Sequence, residues 1–347
     1  MKKIIAFFLL VALLLAGCMQ ESPGTTPPAT TQSAQETLSV HFIDVGQADC
    51  ALLECGGKYM LIDGGNVEDS SLVVTYLQKQ GVEKLEAVVC SHAHEDHVGG
   101  LPGVLAVFPT KAVYAPTRTY SSNCFDDFVY YTDQQDLTVT IPQPGDKIFL
   151  GSATATVLGP VESYAETNNT SIVLMVRFGE NTFLFTGDME TEAENDMLDA
   201  GAKVKADVLK VGHHGSNTST GYRFLYEVDP AFAVISVGKG NSYGHPHDEP
   251  MSRLRDADVT IYRTDEMGCI TAVSDGEKIT FTWESPSAKP EDPTESTSKY
   301  YIGNRNSKTL HLPSCSNLPA EQNQIRWDFY EDAIDAGYHP CSRCMGG

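Results

Sequence analysis

Three histidines and two carboxylates lie within six residues of the segment SHAHEDHVGG. His92 and His94 are two residues apart, so in an extended backbone both side chains point to the same side. Asp96 and His97 follow where the chain turns toward an expected helix. Imidazoles and carboxylates are the ligands that zinc, manganese and iron prefer. A solvated charged loop is the alternative, but this spacing favours two half-sites for divalent cations.

Further ligand-type residues lie at the ends of predicted strands elsewhere in the chain. They are Asp188 in LFTGD, His213 and His214 in VGHHGS, and His245 and His247 in YGHPH. A lone histidine could be a hydrogen-bonded core residue, whereas three such clusters at strand ends favour one shared site. His214, His245 and His247 are candidates to bind a substrate or to protonate a leaving group, with a structural role as the alternative. Ser216 is a further candidate for substrate contact.

Apolar runs bounded by turn residues predict an alternation of strands and helices over residues 38–284. Gly56 and Gly57 are expected to close a hairpin, and a second hairpin is expected to turn near Gly179. Helices are predicted from about residue 70 to residue 81, over residues 190–200, and from about residue 219. This alternation is typical of an α/β fold in which helices cover the sheets. Asp63, at the end of one strand, is placed to orient a metal ligand from behind.

The composition restricts the class of protein. Of the 347 residues, 41% are hydrophobic and 9% are aromatic, as in an ordinary globular protein. The formal net charge of −22 repels nucleic-acid phosphates on average, which disfavours a simple nucleic-acid-binding module. Bound cations would invert the local field and let such an acidic protein accept an anionic substrate.

The N-terminus resembles a bacterial lipoprotein signal. Two lysines precede an apolar run too short to span a bilayer, and the LAGC that ends at Cys18 is similar to a lipobox. A lipid on Cys18 would hold the protein at the extracellular face of the cell membrane, whereas an ordinary signal peptide is the alternative. Composition divides the chain into a signal peptide (1–17), a disordered tether (18–37), a main domain (38–284), a linker (285–298) and a C-terminal domain (299–347).

Seven motifs occur in order along the main domain: HFIDVGQADC, YMLIDGG, SHAHEDHVGGL, LFTGD, LKVGHHGS, YGHPH and YRTDEMGCI. They resemble the metallo-β-lactamase fold, specifically the nuclease-like domain of ComEC-type competence proteins. The resemblance implies an α/β fold, the metallo-β-lactamase αβ/βα sandwich, with two zinc or manganese ions on its rim. The ligands that it implies are His92 and His94 for the first metal, Asp96 and His97 for the second, Asp188 as the bridge, and His213 to complete the second site.

One region departs from the wider fold, which usually supplies another histidine to the first metal. Here the segment reads TNNTS, so Asn168 or Asn169 would take that place, and Asn169 is the candidate ligand. An amide oxygen is a harder and weaker ligand than imidazole, which leaves room for manganese. Two cations roughly 3.5–4 Å apart lower the pKa of water and clamp both oxygens of an in-line displacement on phosphorus. The expected catalytic residues are Asp96, Asp188, His214 and His247.

The C-terminal domain carries a second ligand set, which consists of His311, Cys315, Cys341 and Cys344. This Cys3His set has the spacing of a structural zinc site, and a domain this small needs such a staple. Disulfide pairing is the alternative, but it would leave one cysteine over. The segment resembles the Ada-type metal-binding domain, in which four cysteines bind zinc and one accepts a methyl group from DNA. His311 stands at the acceptor position, so zinc binding should survive and methyl transfer should not. The domain is expected to contact DNA or to dock a protein.

These features predict an exported, lipid-anchored hydrolase with two divalent metals that cleaves phosphodiester bonds, with DNA outside the cell as the expected substrate. One alternative is a phosphodiesterase that acts on another surface substrate, such as a phosphocholine-decorated wall polymer. Another is a non-catalytic surface lipoprotein that uses metals to fold and to bind DNA or a partner. The complete set of Asp96, His97 and Asp188 argues against this last alternative. The five cysteines of the main domain are expected to be mostly buried thiols, with at most one or two disulfides.

Overall fold

The computed structural model describes residues 36–284, 301–313, 315, 318–327, 333 and 336–341. The predicted signal peptide, the lipid site at Cys18, the linker 285–298 and the ligand Cys344 lie outside the described residues. Within the described ranges, no helix is both long and apolar enough to cross a membrane.

Fourteen strands form the main domain: β1 (Leu38–Phe42), β2 (Ala51–Cys55), β3 (Lys58–Ile62), β4 (Ala87–Val89), β5 (Val113–Tyr114), β6 (Lys147–Leu150), β7 (Ala153–Gly159), β8 (Val173–Phe178), β9 (Asn181–Phe185), β10 (Val208–Lys210), β11 (Phe232–Ile235), β12 (Thr260–Arg263), β13 (Ile270–Ser274) and β14 (Ile279–Trp283). The helices are α1 (Ser70–Lys79), α2 (Glu95–Val98), α3 (Leu101–Val107), α4 (Asn123–Asp133), α5 (Thr191–Asp199), α6 (Tyr222–Val228), α7 (Asp248–Asp256) and α8 (Thr264–Met267). The helix predicted from about residue 219 thus begins three residues later, at Tyr222.

Two seven-stranded sheets form the centre of the domain. Their strand orders are β14-β13-β1-β2-β3-β4-β5 and β12-β11-β10-β9-β8-β7-β6. Alternate apolar side chains of both sheets point into one shared core, where the rings of Phe42 and Phe185 stack at 5.9 Å. The hairpin between β2 and β3 turns through Gly56 and Gly57, which both have positive φ, a conformation that suits a tight two-residue turn.

Helices cover the outer face of each sheet. Val73 and Leu77 of α1 and Phe125 and Phe128 of α4 pack on the first sheet. Helices α5, α6 and α7 pack on the second sheet through an apolar cluster that includes Met197, Phe224 and Leu254. Burying one apolar stripe per helix in this way completes two cores on either side of the shared one. The αβ/βα sandwich predicted from the sequence is therefore confirmed.

Parallel strands bring one set of strand ends together. Strands β3, β4 and β5 run parallel in the first sheet, and β9, β10, β11 and β12 run parallel in the second. Loops that leave the carboxyl ends of parallel strands meet at one edge, which is where open α/β sheets bind ligands.

A small third sheet lies in the C-terminal domain. It consists of β15 (Tyr301–Asn304), β16 (Thr309–His311), β17 (Gln324–Trp327) and β18 (His339–Pro340), in the order β17-β15-β16-β18. Its described core contains Leu310, Ala333 and Tyr338, with Trp327 packed against them. So few buried apolar side chains contribute little stability, which fits the expected need for a metal.

Candidate metal centre

The predicted ligands of the main domain lie on loops at the carboxyl ends of β4, β9 and β10. His92 follows β4, and His94 is the N-cap residue directly before α2. Asp188 follows β9, and the histidine pair His213 and His214 follows β10 inside a short 3-10 helix (Gly212–Gly215). The sheet topology thus places residues that are 120 positions apart in sequence on neighbouring loops.

Four of these residues form a tight group. Asp96, His97, Asp188 and His214 each place one ligand atom within 4.8 Å of all the others. Nε2 of His97 lies 3.2 Å from Oδ1 of Asp188, and both atoms are buried without a hydrogen bond to the described chain. Nε2 of His214 lies 3.1 Å from Oδ2 of Asp96. Buried nitrogen and oxygen atoms that converge without hydrogen-bond partners fit a divalent cation.

His92 and His213 approach the other oxygen of Asp188, and His94 lies beside His92. Nε2 of His92 and Nε2 of His213 each lie 3.8 Å from Oδ2 of Asp188. Nε2 of His92 also lies 3.1 Å from Nδ1 of His94. Oδ2 of Asp188 is in addition 3.7 Å from Nε2 of His214, so this carboxylate contacts histidines of both groups, as a bridging ligand must.

The roles of His213 and His214 differ from the sequence-based expectation. His213 was expected to complete the group of Asp96 and His97, but His214 occupies that place. Both histidines have left-handed backbone conformations, with φ of 51° and 53°, so their side chains leave the loop in different directions. Nδ1 of His213 lies 3.1 Å from the hydroxyl of Thr218, and Nδ1 of His214 lies 3.0 Å from the carbonyl oxygen of Ser236. These contacts aim both Nε2 atoms at Asp188.

Two carboxylates support the ligands from behind. Asp63 has the position expected for it: its Oδ2 lies 2.9 Å from Nδ1 of His97, and its Oδ1 accepts a hydrogen bond from the Ser91 amide. Oδ1 of Asp49 lies 3.3 Å from Nδ1 of His214 but makes no hydrogen bond within the described chain, because that nitrogen bonds the carbonyl oxygen of Ser236, so Asp49 acts on His214 through its negative charge. A carboxylate behind a metal-binding histidine fixes the ring and raises its basicity.

The buried Lys210 escaped the sequence analysis. Its Nζ lies 2.7 Å from Oδ2 of Asp49, and both side chains are almost completely buried. Its Nζ also donates to the carbonyl oxygen of Val211. A lysine inside the apolar run ADVLKVG was the available clue, because lysine is rarely buried without a partner. The positive charge of Lys210 stabilises the ionised form of Asp49 and holds this carboxylate behind His214.

The electrostatics of the group favour cations. Burial would lower the pKa of His97, but the carboxylates of Asp188, Asp96 and Asp63 outweigh it and raise that pKa well above its usual value. Burial would also lower the pKa of His214, but the carboxylates of Asp188 and Asp49 outweigh it and raise that pKa to about 10. The pKa of Asp96 falls to about 2, because His97 and His214 outweigh the effect of burial. A field that favours protons on buried imidazoles also favours a divalent cation in their place.

The asparagines of TNNTS divide their roles. Asn169 was the candidate ligand, but its Oδ1 accepts from the amide of Glu190 and its Nδ2 donates to Glu192. Both ends of its amide group are therefore engaged by residues at the start of α5. Asn168 donates from Nδ2 to Glu190, and its buried Oδ1 makes no hydrogen bond within the described chain. Of the two amides, Asn168 is the one with an unused oxygen.

Three predicted substrate residues lie beside the histidine pair. The His245 ring lies 5.6 Å from that of His213 and 4.8 Å from that of His247. Burial, together with the nearby His214, His213 and His247, lowers the pKa of His245 to about 4. Nδ1 of His247 accepts a hydrogen bond from the amide of Asn217. Ser216 is buried and its hydroxyl contacts Thr218, so the structure places it inside its own loop rather than on the rim.

The C-terminal ligand set is brought together in the described residues. His311, Cys315 and Cys341 each place a ligand atom within 4.8 Å of the others, and Nδ1 of His311 lies 3.4 Å from Sγ of Cys315. The three side chains are buried, whereas Cys344 lies outside the described residues. In the main domain, Cys50, Cys55, Cys90, Cys124 and Cys269 are all free thiols.

The fold and these ligand sets define a protein of two known domain families. Residues 43–239 match the metallo-beta-lactamase superfamily, and residues 288–346 match the metal binding domain of Ada. The first match covers more than half of the chain, and the chain belongs to the metallo-beta-lactamase superfamily.

Among individual proteins, the chain is similar to proteins of competence and recombination. It is 30% identical to ComE operon protein 3 of Bacillus subtilis over 67% of this chain and 32% of that protein. It is 30% identical to competence protein ComA of Neisseria gonorrhoeae, over 74% of this chain and 34% of that protein. The chain thus spans about a third of the length of these relatives. The crystal structure of the metallo-beta-lactamase fold protein YhfI from Bacillus subtilis matches with a TM-score of 0.45 and 14% identity, over 71% of this chain and 100% of that chain.

Proposed function

We propose that this protein is an exported, lipid-anchored phosphodiesterase that binds two divalent metals and cleaves DNA outside the cell. The observation that carries the proposal is the convergence of histidines from two loops on Asp188, with buried ligand atoms that have no hydrogen-bond partner in the described chain. The names of the relatives, competence protein and ComE operon protein, favour DNA over other diesters.

The residues of this chain divide between two metal positions. His92, His94 and His213 would hold one ion, Asp96, His97 and His214 would hold the other, and Asp188 would contact both. Zinc or manganese at these positions would supply Lewis acidity toward a phosphoryl oxygen and toward water. Asp63 and the carbonyl oxygen of Ser236 hold His97 and His214 in orientation from the other side of each ring, and Asp49 adds negative charge behind His214.

His247 has one ring nitrogen engaged by the backbone. Its Nδ1 accepts from the Asn217 amide, so in the neutral ring the proton lies on Nε2. This Nε2–H would donate a hydrogen bond to a phosphate oxygen. Proton transfer to the leaving oxygen would require that Nδ1 first release the Asn217 amide and take a proton from water, so that the imidazolium is the acid and the neutral ring is restored. His214 was expected to share this role, but its position among the ligands leaves His247, with His245 beside it, for proton transfer and phosphate binding.

The proposed activity is tested with purified protein and single- and double-stranded DNA in manganese, zinc or chelator. We expect cleavage that requires a metal and disappears in Asp188→Ala, while Asp133→Ala on the exposed side of α4 keeps full activity. Absence of metal-dependent cleavage of any DNA contradicts the nuclease proposal. If cleavage persists in Asp188→Ala at the wild-type rate, the activity comes from a contaminant.

The anchor is a separate proposal, because it rests on the sequence LAGC alone. We expect the protein to label with radioactive palmitate and to fractionate with membranes, and we expect Cys18→Ala to abolish both. Labelling that survives Cys18→Ala would refute the assignment of the lipid to this cysteine.

A further inference from the structure

One exposed aromatic ring close to the metal centre has no role in holding metal. Tyr243 is 67% exposed, and its ring stacks on that of His245 with centroids 5.6 Å apart and an interplanar angle of 25°. Exposure alone assigns Tyr243 no role, since Tyr226 is 81% exposed; what distinguishes Tyr243 is its stack on a histidine that neighbours the proposed metal ligands. With this much of its surface in solvent, one face of the Tyr243 ring is open.

The loop that carries Tyr243 is held in place by its own hydrogen bonds. Oδ1 of Asn241 accepts from the amides of Tyr243 and His245, and Nδ2 of Asn241 donates to the carbonyl oxygens of Gly238 and His245. Gln47 joins the loop to the first sheet, since its Oε1 accepts from the Gly238 amide and its Nε2 lies 3.3 Å from Nδ1 of His245. Tyr243 is therefore displayed on a fixed support.

The stack leads from solvent to the metal ligands. The ring of His245 is nearly parallel to that of His214, at 24° and 6.4 Å between centroids. Tyr243, His245 and His214 thus form a row of rings in which the last one belongs to the proposed metal site. A phosphate bound at the metals would have its neighbouring nucleoside beside the outer rings of this row.

We propose that the open face of Tyr243 is a stacking platform for the nucleobase next to the scissile phosphate, so that the site takes single-stranded nucleic acid. This inference rests on the proposed phosphodiesterase function and specifies its substrate. A base inside a duplex is stacked on both sides and cannot offer a face to Tyr243, whereas an unpaired base can. Stacking also needs no basic surface, which suits a chain with a net charge of −22.

The same ring could contact the quaternary ammonium of a choline ester, but the geometry favours a base. Quaternary ammonium groups are bound in cages of several aromatic faces, whereas Tyr243 offers a single flat face backed by His245. Binding of a choline ester is therefore tested as an alternative outcome of the experiment.

The test compares Tyr243→Ala with Tyr243→Phe and with the control Tyr226→Ala, which changes an exposed tyrosine on α6. The substrates are an oligothymidylate, the same chain with abasic residues, and glycerophosphocholine. Stacking contributes about 1–3 kcal/mol per base, so Tyr243→Ala should lower kcat/KM for oligothymidylate by about 5- to 150-fold. Tyr243→Phe and Tyr226→Ala should stay within about twofold of wild type, and Tyr243→Ala should not change the rate on the abasic chain.

A second readout does not depend on turnover. With metal-loaded protein and an oligonucleotide whose phosphorothioate linkages resist cleavage, the fluorescence of a 2-aminopurine base in that oligonucleotide should be quenched on binding, and Tyr243→Ala should remove that quenching. Equal losses on the normal and abasic chains, or no loss on either, overturn the platform while leaving the phosphodiesterase intact. A loss confined to glycerophosphocholine overturns it in favour of choline. If wild type cleaves no DNA, the platform falls together with the proposed function.

Discussion

The ion pair of Lys210 and Asp49 makes a sharp prediction about stability. Lys210→Met removes a buried cation that lies 2.7 Å from Oδ2 of Asp49, and the two side chains are only 5% and 7% exposed. Breaking a buried pair by removing one partner costs about 3–5 kcal/mol, because it leaves an uncompensated charge in the interior. Asp49 would keep its contact with Nδ1 of His214, so we expect the lower end, about 3 kcal/mol.

The assay is urea unfolding of the purified protein in chelator, so that metal binding does not contribute to the measured free energy. The control is Lys205→Met, because Lys205 pairs with Asp229 at 2.6 Å but both side chains are more than two-thirds exposed. An exposed pair contributes little, so the control should stay within about 1 kcal/mol of wild type.

A double variant separates charge from packing. If the cost comes from the unpaired carboxylate, Lys210→Met should be milder in an Asp49→Asn background by about 1–3 kcal/mol. The reasoning is refuted if Lys210→Met is as mild as Lys205→Met. It is also refuted if the cost of Lys210→Met is the same in both backgrounds, since the lysine would then contribute through its packing alone.

Three further predictions concern other parts of the chain. Asp63→Asn should weaken metal binding about 10- to 100-fold in calorimetric titration, because it removes the carboxylate behind His97, and unchanged affinity would contradict that role. Burial raises the pKa of Glu194 from 4.5 to about 7, because it outweighs the hydrogen bonds from the amides of Gly221 and Thr220. The folded state therefore binds a proton that the unfolded state has lost, and the free energy of unfolding should fall by roughly 3 kcal/mol as the pH rises from 4.5 to about 7. In Glu194→Gln this decline should be absent, so the pH profiles of the unfolding free energy should differ between wild type and variant. Identical profiles would argue against the prediction. His311→Ala should lose one zinc per chain by metal analysis, whereas His311→Cys should keep it, and full zinc content in His311→Ala would exclude this histidine as a ligand.

The sequence was sufficient for the parts of the centre that depend on regular structure. An HxHxDH pattern after a buried strand leaves few geometries for its side chains, and Asp63 follows from its place at the end of the neighbouring strand. The hairpin glycines and the helices that cover the sheets follow from local turn chemistry and apolar periodicity in the same way.

The sequence was insufficient where irregular backbone decides the direction of a side chain. Asn168 and Asn169 lie in one short 3-10 helix (Asn168–Thr170). Only the folded loop shows that the side-chain amide of Asn169 is hydrogen-bonded to Glu190 and Glu192. Lys210 escaped notice for a different reason. Its partner Asp49 is more than 150 positions away, and no local pattern reports a contact between two sheets.

The histidine pair shows how this chain accommodates the missing histidine at TNNTS. Two consecutive residues with φ near 50° cost free energy, of the order of 1–2 kcal/mol each, because the Cβ atom crowds the following carbonyl. In an extended strand adjacent side chains would also point to opposite faces, and only one could reach the metals. The left-handed turn lets both Nε2 atoms approach Oδ2 of Asp188, at 3.8 and 3.7 Å. One strand end can therefore offer an imidazole to each half of the proposed centre, so that His213 would take the place of the absent ligand.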